Sequence, residues 1–192
     1  MSKRNNNYNY EGIEKRDPAE VLSEWDYDEK FAGSFDKERI FSDVINNKED
    51  FEKILYEIVL WKVNRRIIVE KEEEIKKKLY SISENAPEKE ATQSLIEDLV
   101  GKDNIGIGLP MASTIIHFFS RGQLPILDQR AYRVVYDNEP KYKGDIGELY
   151  WNYYQKCKDY YTEHQLKEKG IDFVEIDKYL YQVDKLNNNK NK

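Results

Sequence analysis

The stretch Gly106-Ile107-Gly108-Leu109-Pro110-Met111-Ala112-Ser113-Thr114-Ile115-Ile116, followed by Leu124-Pro125-Ile126-Leu127-Asp128-Gln129-Arg130, decides how this chain is read. Two glycines around one apolar residue let a backbone turn tightly and approach a ligand closely. Ile107 is expected to plug the core and hold that turn rigid. Pro110 suits the first turn of a helix, where its missing N–H leaves no hydrogen bond unmade. The amides near Gly106, Gly108 and Met111 are then expected to face outward, and amides at a helix start favour an anion such as phosphate. Ala112 is small enough for close packing, while Ile115, Ile116 and Phe119 supply a core face. The same residues also fit a plain corner in which the glycines end one helix and Pro110 starts the next.

The second segment adds a carboxylate. Asp128 stands directly before Gln129-Arg130-Ala131. An aspartate there is a good helix N-cap, with a contribution of about 1 kcal/mol. One isolated carboxylate beside a phosphate-holding turn is also sufficient for hydrolytic chemistry. The two roles are compatible.

Working outward, helical periodicity dominates. The strongest pattern covers 48–65, with Phe51, Ile54, Leu55, Ile58, Val59 and Lys62 at spacings of three and four. A short helix follows Asp17-Pro18, and another short segment starts at Ser42. Further helices are predicted over 69–81, 89–100, 110–119, 128–136, 146–164 and 173–183. Only short pieces read as strand. The expected fold is an all-α, single-domain helical bundle containing a helix-hairpin-helix over 17–185. The Asn-rich start (1–16) and the Asn/Lys-rich end (186–192) are expected to be disordered tails.

Composition narrows the function classes. The 192 residues are 39% hydrophobic and 35% charged, with a net charge of −6. No global basic footprint exists, so any nucleic-acid contact must be a local patch on an acidic body. The single cysteine, Cys157, excludes an internal disulfide, a four-thiolate iron–sulfur cluster and a cysteine-rich zinc site. With two histidines far apart, no metal site is expected, and no organic cofactor is implied. No apolar run approaches membrane-spanning length and no signal peptide is visible, so a cytoplasmic location is the expectation. Oligomeric state is not readable from the chain.

In order and spacing, these segments resemble the helix-hairpin-helix DNA glycosylase superfamily. The resemblance rests on Gly106-Ile107-Gly108, Ala112, Pro125, Asp128 and Tyr132-Arg133-Val134, with Asp128 twenty residues after Gly108. Trp61-Lys62-Val63-Asn64-Arg65-Arg66 also looks like a Trp-Lys-x-x-Arg segment of a poorly characterised bacterial branch, and Ile176-Asp177-Lys178-Tyr179-Leu180-Tyr181 is similar to that branch's acidic-aromatic last helix. The resemblance implies DNA binding through Gly106, Ile107, Gly108 and Met111, with Asp128 catalytic in base excision. It implies a monofunctional N-glycosylase, because the family's Schiff-base lysine falls on Pro110 here. Asp128 would stabilise an oxocarbenium-like sugar or orient water as the base leaves. The polar loop 101–104 is longer than the family's usual one.

Lys62, Arg65 and Arg66 form a cationic run suited to phosphates, or simply a solvated helix end favoured by the dipole. Trp61 is a candidate to stack on an extruded base, or a core residue. His117 reads as a hydrogen-bonded core or pocket-edge side chain. Arg130 is expected to pair with Asp128 or a phosphate, and Arg133 to lie on the surface. The tyrosines of 150–161 read as core packing. Two other functions fit the same residues: a non-catalytic helix-hairpin-helix DNA-binding module, and an acidic protein-interaction domain.

Overall fold

The computed structural model describes residues 10–25, 36–46, 50–62 and 67–190, apart from the side chains of 188–190. Among these residues ten α-helices follow in order: α1 (Glu11–Glu14), α2 (Pro18–Ser23), α3 (Lys37–Asn46), α4 (Phe51–Lys62), α5 (Glu72–Glu84), α6 (Lys89–Val100), α7 (Leu109–Phe119), α8 (Gln129–Tyr136), α9 (Ile146–Glu163) and α10 (Ile176–Lys190). The fold is an all-α, single-domain bundle. One isolated antiparallel bridge, Ile68 to Ile105, is the extended pairing recorded among the described residues.

Local chemistry accounts for the helix starts. Asp17, Asp128 and Asp145 each accept a backbone N–H at the head of α2, α8 and α9, at 2.9, 2.7 and 2.8 Å. Such caps satisfy amides that the helix itself leaves unpaired. In α7 the cap is Gly108, and Pro110 occupies the first turn.

The bundle is organised around α7. Every residue of α7 except Pro110 is buried. A helix that is apolar on all sides belongs in the middle of a core. It packs against α3, α4, α5, α6 and α9, while α10 lies along α8 and α2. Ser113, Thr114 and His117 are the polar members of α7, and each has a hydrogen bond.

The ordered core reaches further toward both ends than the expected tails allowed. Residues 10–16, placed in the N-terminal tail, carry α1, with Tyr10 and Ile13 buried. The Tyr10 hydroxyl donates to Asp184 at 2.9 Å, and the Tyr160 hydroxyl donates to Glu14 at 2.8 Å. At the other end α10 runs through Lys190, past the expected stop at 183 and into the stretch taken as a tail. Leu186 packs on the core there, and that contact outweighs the poor helix propensity of the asparagines. Further differences are local. Helix α3 begins at Lys37, ahead of Ser42. Helix α5 begins at Glu72, because residues just before it run extended beside Ile105, where Asn104 Oδ1 accepts the Glu70 amide at 2.7 Å.

Candidate functional site

The segment Leu124 to Leu127 is buried, although it belongs to no helix. Buried backbone must have partners, and side chains from two helices supply them. From α7 and its cap, Ser120 Oγ accepts the Leu124 amide at 3.1 Å, and the His117 ring nitrogen Nδ1 bonds the Leu124 carbonyl at 3.0 Å. Ser113 Oγ accepts the Leu127 amide at 2.9 Å. From α9, the hydroxyls of Tyr150 and Tyr153 donate to the carbonyls of Pro125 and Ile126 at 2.9 and 3.0 Å.

These bonds fix a direction. Leu124 is held near the C-terminal end of α7 and Leu127 near its middle, at Ser113. The turn therefore runs antiparallel to α7, and Asp128 emerges toward the end of α7 that Gly108 opens. The turn thus directs the carboxylate toward the half of the central helix that begins at Gly108.

At that end Gly106 has φ +81°, a left-handed conformation that glycine adopts without strain. Ile107 is buried beneath the turn and Gly108 is exposed, as the sequence reading expected of a plug and a turn. Asn104 braces the approach: its side-chain amide donates to the carbonyls of Asp98 and Leu99 at 2.8 and 3.0 Å. The Met111 amide donates to the Gly108 carbonyl at 2.9 Å and the residue is buried. Of the amides expected to face an anion, that one is already used within the first turn. The Leu109 amide has no intrahelical acceptor by position.

The Asp128 side chain is 28% exposed, so its carboxylate is neither sealed nor fully solvated. Oδ1 caps α8. Oδ2 lies 4.0 Å from Lys62 Nζ at the end of α4, and the Lys62 side chain is 17% exposed. Tyr142 stands within electrostatic reach. Its hydroxyl is pushed up to about 12, chiefly by burial and further by the Asp128 charge.

A half-open cavity of about 320 Å³ lies against the His117–Phe118 end of α7, the end opposite Gly108. That is near the lower end of the roughly 300–1,000 Å³ typical of small-molecule sites. Trp25, Trp61, Phe118 and Ile126 form apolar walls, and His117 and Asp177 line it. Two of its wall residues are near the carboxylate in sequence only: Ile126 precedes Asp128 by two residues and Trp61 precedes Lys62 by one, and neither Asp128 nor Lys62 lines the cavity. His117 is buried and its pKa is lowered to about 4, first by burial. At neutral pH the ring is uncharged, with the proton on the Nδ1 that faces the Leu124 carbonyl and a lone pair on Nε2.

The other expected site residues divide. Trp61 and His117 share the cavity, and Lys62 stands beside Asp128. Arg65 and Arg66 lie outside the described residues. Arg130 was expected on Asp128 or a phosphate, but its guanidinium pairs with Asp184 at 2.9 Å, with its side chain 36% exposed. Arg133, expected on the surface, is mostly buried and donates to both oxygens of the same carboxylate. Asp184 itself is fully buried and was not singled out from the sequence. Neither was Trp25, and Asp177 entered only as part of the acidic-aromatic segment 176–181. Burial raises the pKa of the Cys157 thiol, so this cysteine is an inert core residue.

Among the described residues, no group of three or more His, Cys, Asp or Glu side chains is placed to hold a metal ion, and no helix is long and apolar enough to cross a membrane. Comparisons with protein-family models, curated proteins and solved structures found no match.

Proposed function

We propose that this domain binds DNA through the glycine corner and hydrolyses a base–sugar bond, with Asp128 as the catalytic carboxylate. The observation that carries the reading is the seat of Asp128. Side chains of two helices clamp the preceding turn, and the carboxylate is delivered, partly exposed, beside Lys62. In the reaction the C1′–N bond breaks, water adds to C1′, and the departing base takes up a proton. Asp128 stabilises positive charge developing on the sugar and orients the water. Pro110 has no amine, so no Schiff base forms at that position. The extruded base enters the cavity walled by Trp61 and His117.

The test uses duplexes carrying deaminated, alkylated or oxidised bases, followed by alkali. The wild-type chain is expected to leave abasic sites and Asp128→Asn to leave none. Abasic product that survives Asp128→Asn removes Asp128 from the reaction.

A second reading has its own support, because Asp128 Oδ1 is already occupied in capping α8. In that reading the domain holds duplex without chemistry. Salt-sensitive duplex binding with no abasic product on any substrate selects it. Failure to bind any duplex at low salt selects a protein-interaction role for the acidic surface.

A further inference from the structure

Lys62 ends α4, and its ammonium faces the side of Asp128 that the α8 cap leaves open. The 4.0 Å from Nζ to Asp128 Oδ2 makes an ion pair but is beyond hydrogen-bond reach. Among the described residues, no hydrogen bond engages Nζ. An ammonium has three N–H groups to give and accepts nothing, so this mostly buried cation has protons uncommitted beside the carboxylate. It is also felt at the cavity wall. Burial is the main cause of the lowered His117 pKa, and the Lys62 charge adds to it.

Release of a base needs a proton for the departing ring, and Asp128, acting as a carboxylate, has none to give. The other groups nearby are poor sources. The His117 Nδ1 proton is held on the Leu124 carbonyl, and burial makes the Tyr142 hydroxyl a weaker acid. Lys37 donates to the Val174 carbonyl and Lys178 stands 3.7 Å from Glu175, at the heads of α3 and α10. Lys62 is the cation paired with Asp128 among the described residues.

We propose that Lys62 is the general acid of the reaction, protonating the departing base while Asp128 stabilises the sugar. The C1′–N bond breaks and its electron pair stays on the base. Nζ passes a proton to a ring atom of the base and becomes a neutral amine. Water adds to C1′, and its surplus proton goes to Asp128. The carboxylic acid then hands that proton to the amine, which restores the ion pair. This role rests on the base-release reading of Asp128, and it separates bases that need a proton from those that do not.

The experiment follows single-turnover base release from a duplex carrying an uncharged damaged base (uracil, hypoxanthine or oxidised guanine) and from one carrying guanine methylated at N7. The uncharged base leaves as an anion unless protonated, whereas the methylated one is already cationic and leaves neutral. Lys62→Gln is expected to slow release of the uncharged base about 10²–10⁴-fold, the scale of one general acid, and of the methylated base less than about tenfold. Lys62→Arg is expected to show the same loss with duplex affinity retained, because a guanidinium keeps the charge but does not give up its proton. Equal slowing of both bases, or full release by Lys62→Arg, overturns the role and leaves Lys62 a charge on phosphate or on Asp128. A borohydride-trapped adduct of chain and DNA that Lys62→Gln abolishes also overturns it, since the amine then attacks C1′. Release of the methylated base alone by the wild type does so too, because that base needs no proton. If Lys62→Gln does not fold, or the wild type releases only uncharged bases, Lys62→Arg decides. Release that is lost in Asp128→Asn but indifferent to Lys62 removes this inference alone. No release of any base by the wild type removes it together with the Asp128 reading.

Discussion

The amide of Leu127 donates to Ser113 Oγ at 2.9 Å, and both residues are fully buried. This one bond ties the residue before Asp128 to the central helix. Ser113 also donates to the Pro110 carbonyl at 2.9 Å, so its hydroxyl is used as donor and acceptor.

Ser113→Ala leaves the Leu127 amide buried and unpaired. A loss of about 1–3 kcal/mol is expected, read as a lower urea midpoint. Thr114→Val is the contrast. Thr114 Oγ1 bonds the Pro110 carbonyl one turn back, a link of little consequence inside a helix, and a change near 0.5 kcal/mol or less is expected.

Asp128 substitutions separate capping from chemistry. Asparagine caps about as well as aspartate, so Asp128→Asn is expected to change stability by only a few tenths of a kcal/mol, whereas Asp128→Ala loses about 1 kcal/mol. Both abolish base release if the carboxylate is catalytic. A pair of melting curves and an alkali-cleavage assay give the answer. Activity retained by Asp128→Asn and lost only in the destabilised Asp128→Ala indicates a cap and nothing more.

Acid is expected to unfold the protein partly through His117. The ring's pKa is about 4 when folded, against an ordinary value of 6.5. Above pH 6.5 neither state binds the proton, and the residue has no effect on pH dependence. Between 6.5 and 4 the unfolded chain binds it and the folded chain does not, so stability falls as the pH falls. Across that window the loss is roughly 3 kcal/mol. Urea midpoints measured from pH 7.5 to 4 check this, and His117→Gln is expected to flatten the acid limb by a similar amount.

Asp184 is the buried hub of a network with Tyr10, Arg130 and Arg133. Removing one member of a buried ion pair strands the others, at about 3–5 kcal/mol. Arg130 is 36% exposed and partly relieved by solvent, so Asp184→Asn is expected near the lower end, about 3 kcal/mol. Arg130→Ala is expected to lower stability as well as any duplex affinity. An Arg130→Ala protein that is unchanged in stability but weak on DNA restores that residue to the DNA contact.

Local signals carried much of this fold. Asp17-Pro18, Pro110 and Asp128 marked helix starts where the structure has them, because caps act within a few residues. The apolar spacing of 51–59 and 111–119 marked the core helices for the same reason. The end-to-end contacts were not legible. Tyr10 meets Asp184 across almost the whole chain, and nothing beside either residue announces it. The tyrosines of α9 read as packing, and Tyr150 and Tyr153 are buried. Their hydroxyls hold the Pro125 and Ile126 carbonyls, a role that depends on a turn in another part of the sequence. Likewise Arg130 next to Asp128 suggested a local pair, yet tertiary packing gave it a buried carboxylate instead.

The clamped turn also limits where motion can arise. With Leu124, Pro125, Ile126 and Leu127 each bolted to α7 or α9, the peptide before Asp128 has almost no torsional freedom. The carboxylate can swing about its own side-chain bonds, but its backbone travels only if both helices travel. Trp61, at the end of α4, lines the same cavity as the clamped Ile126.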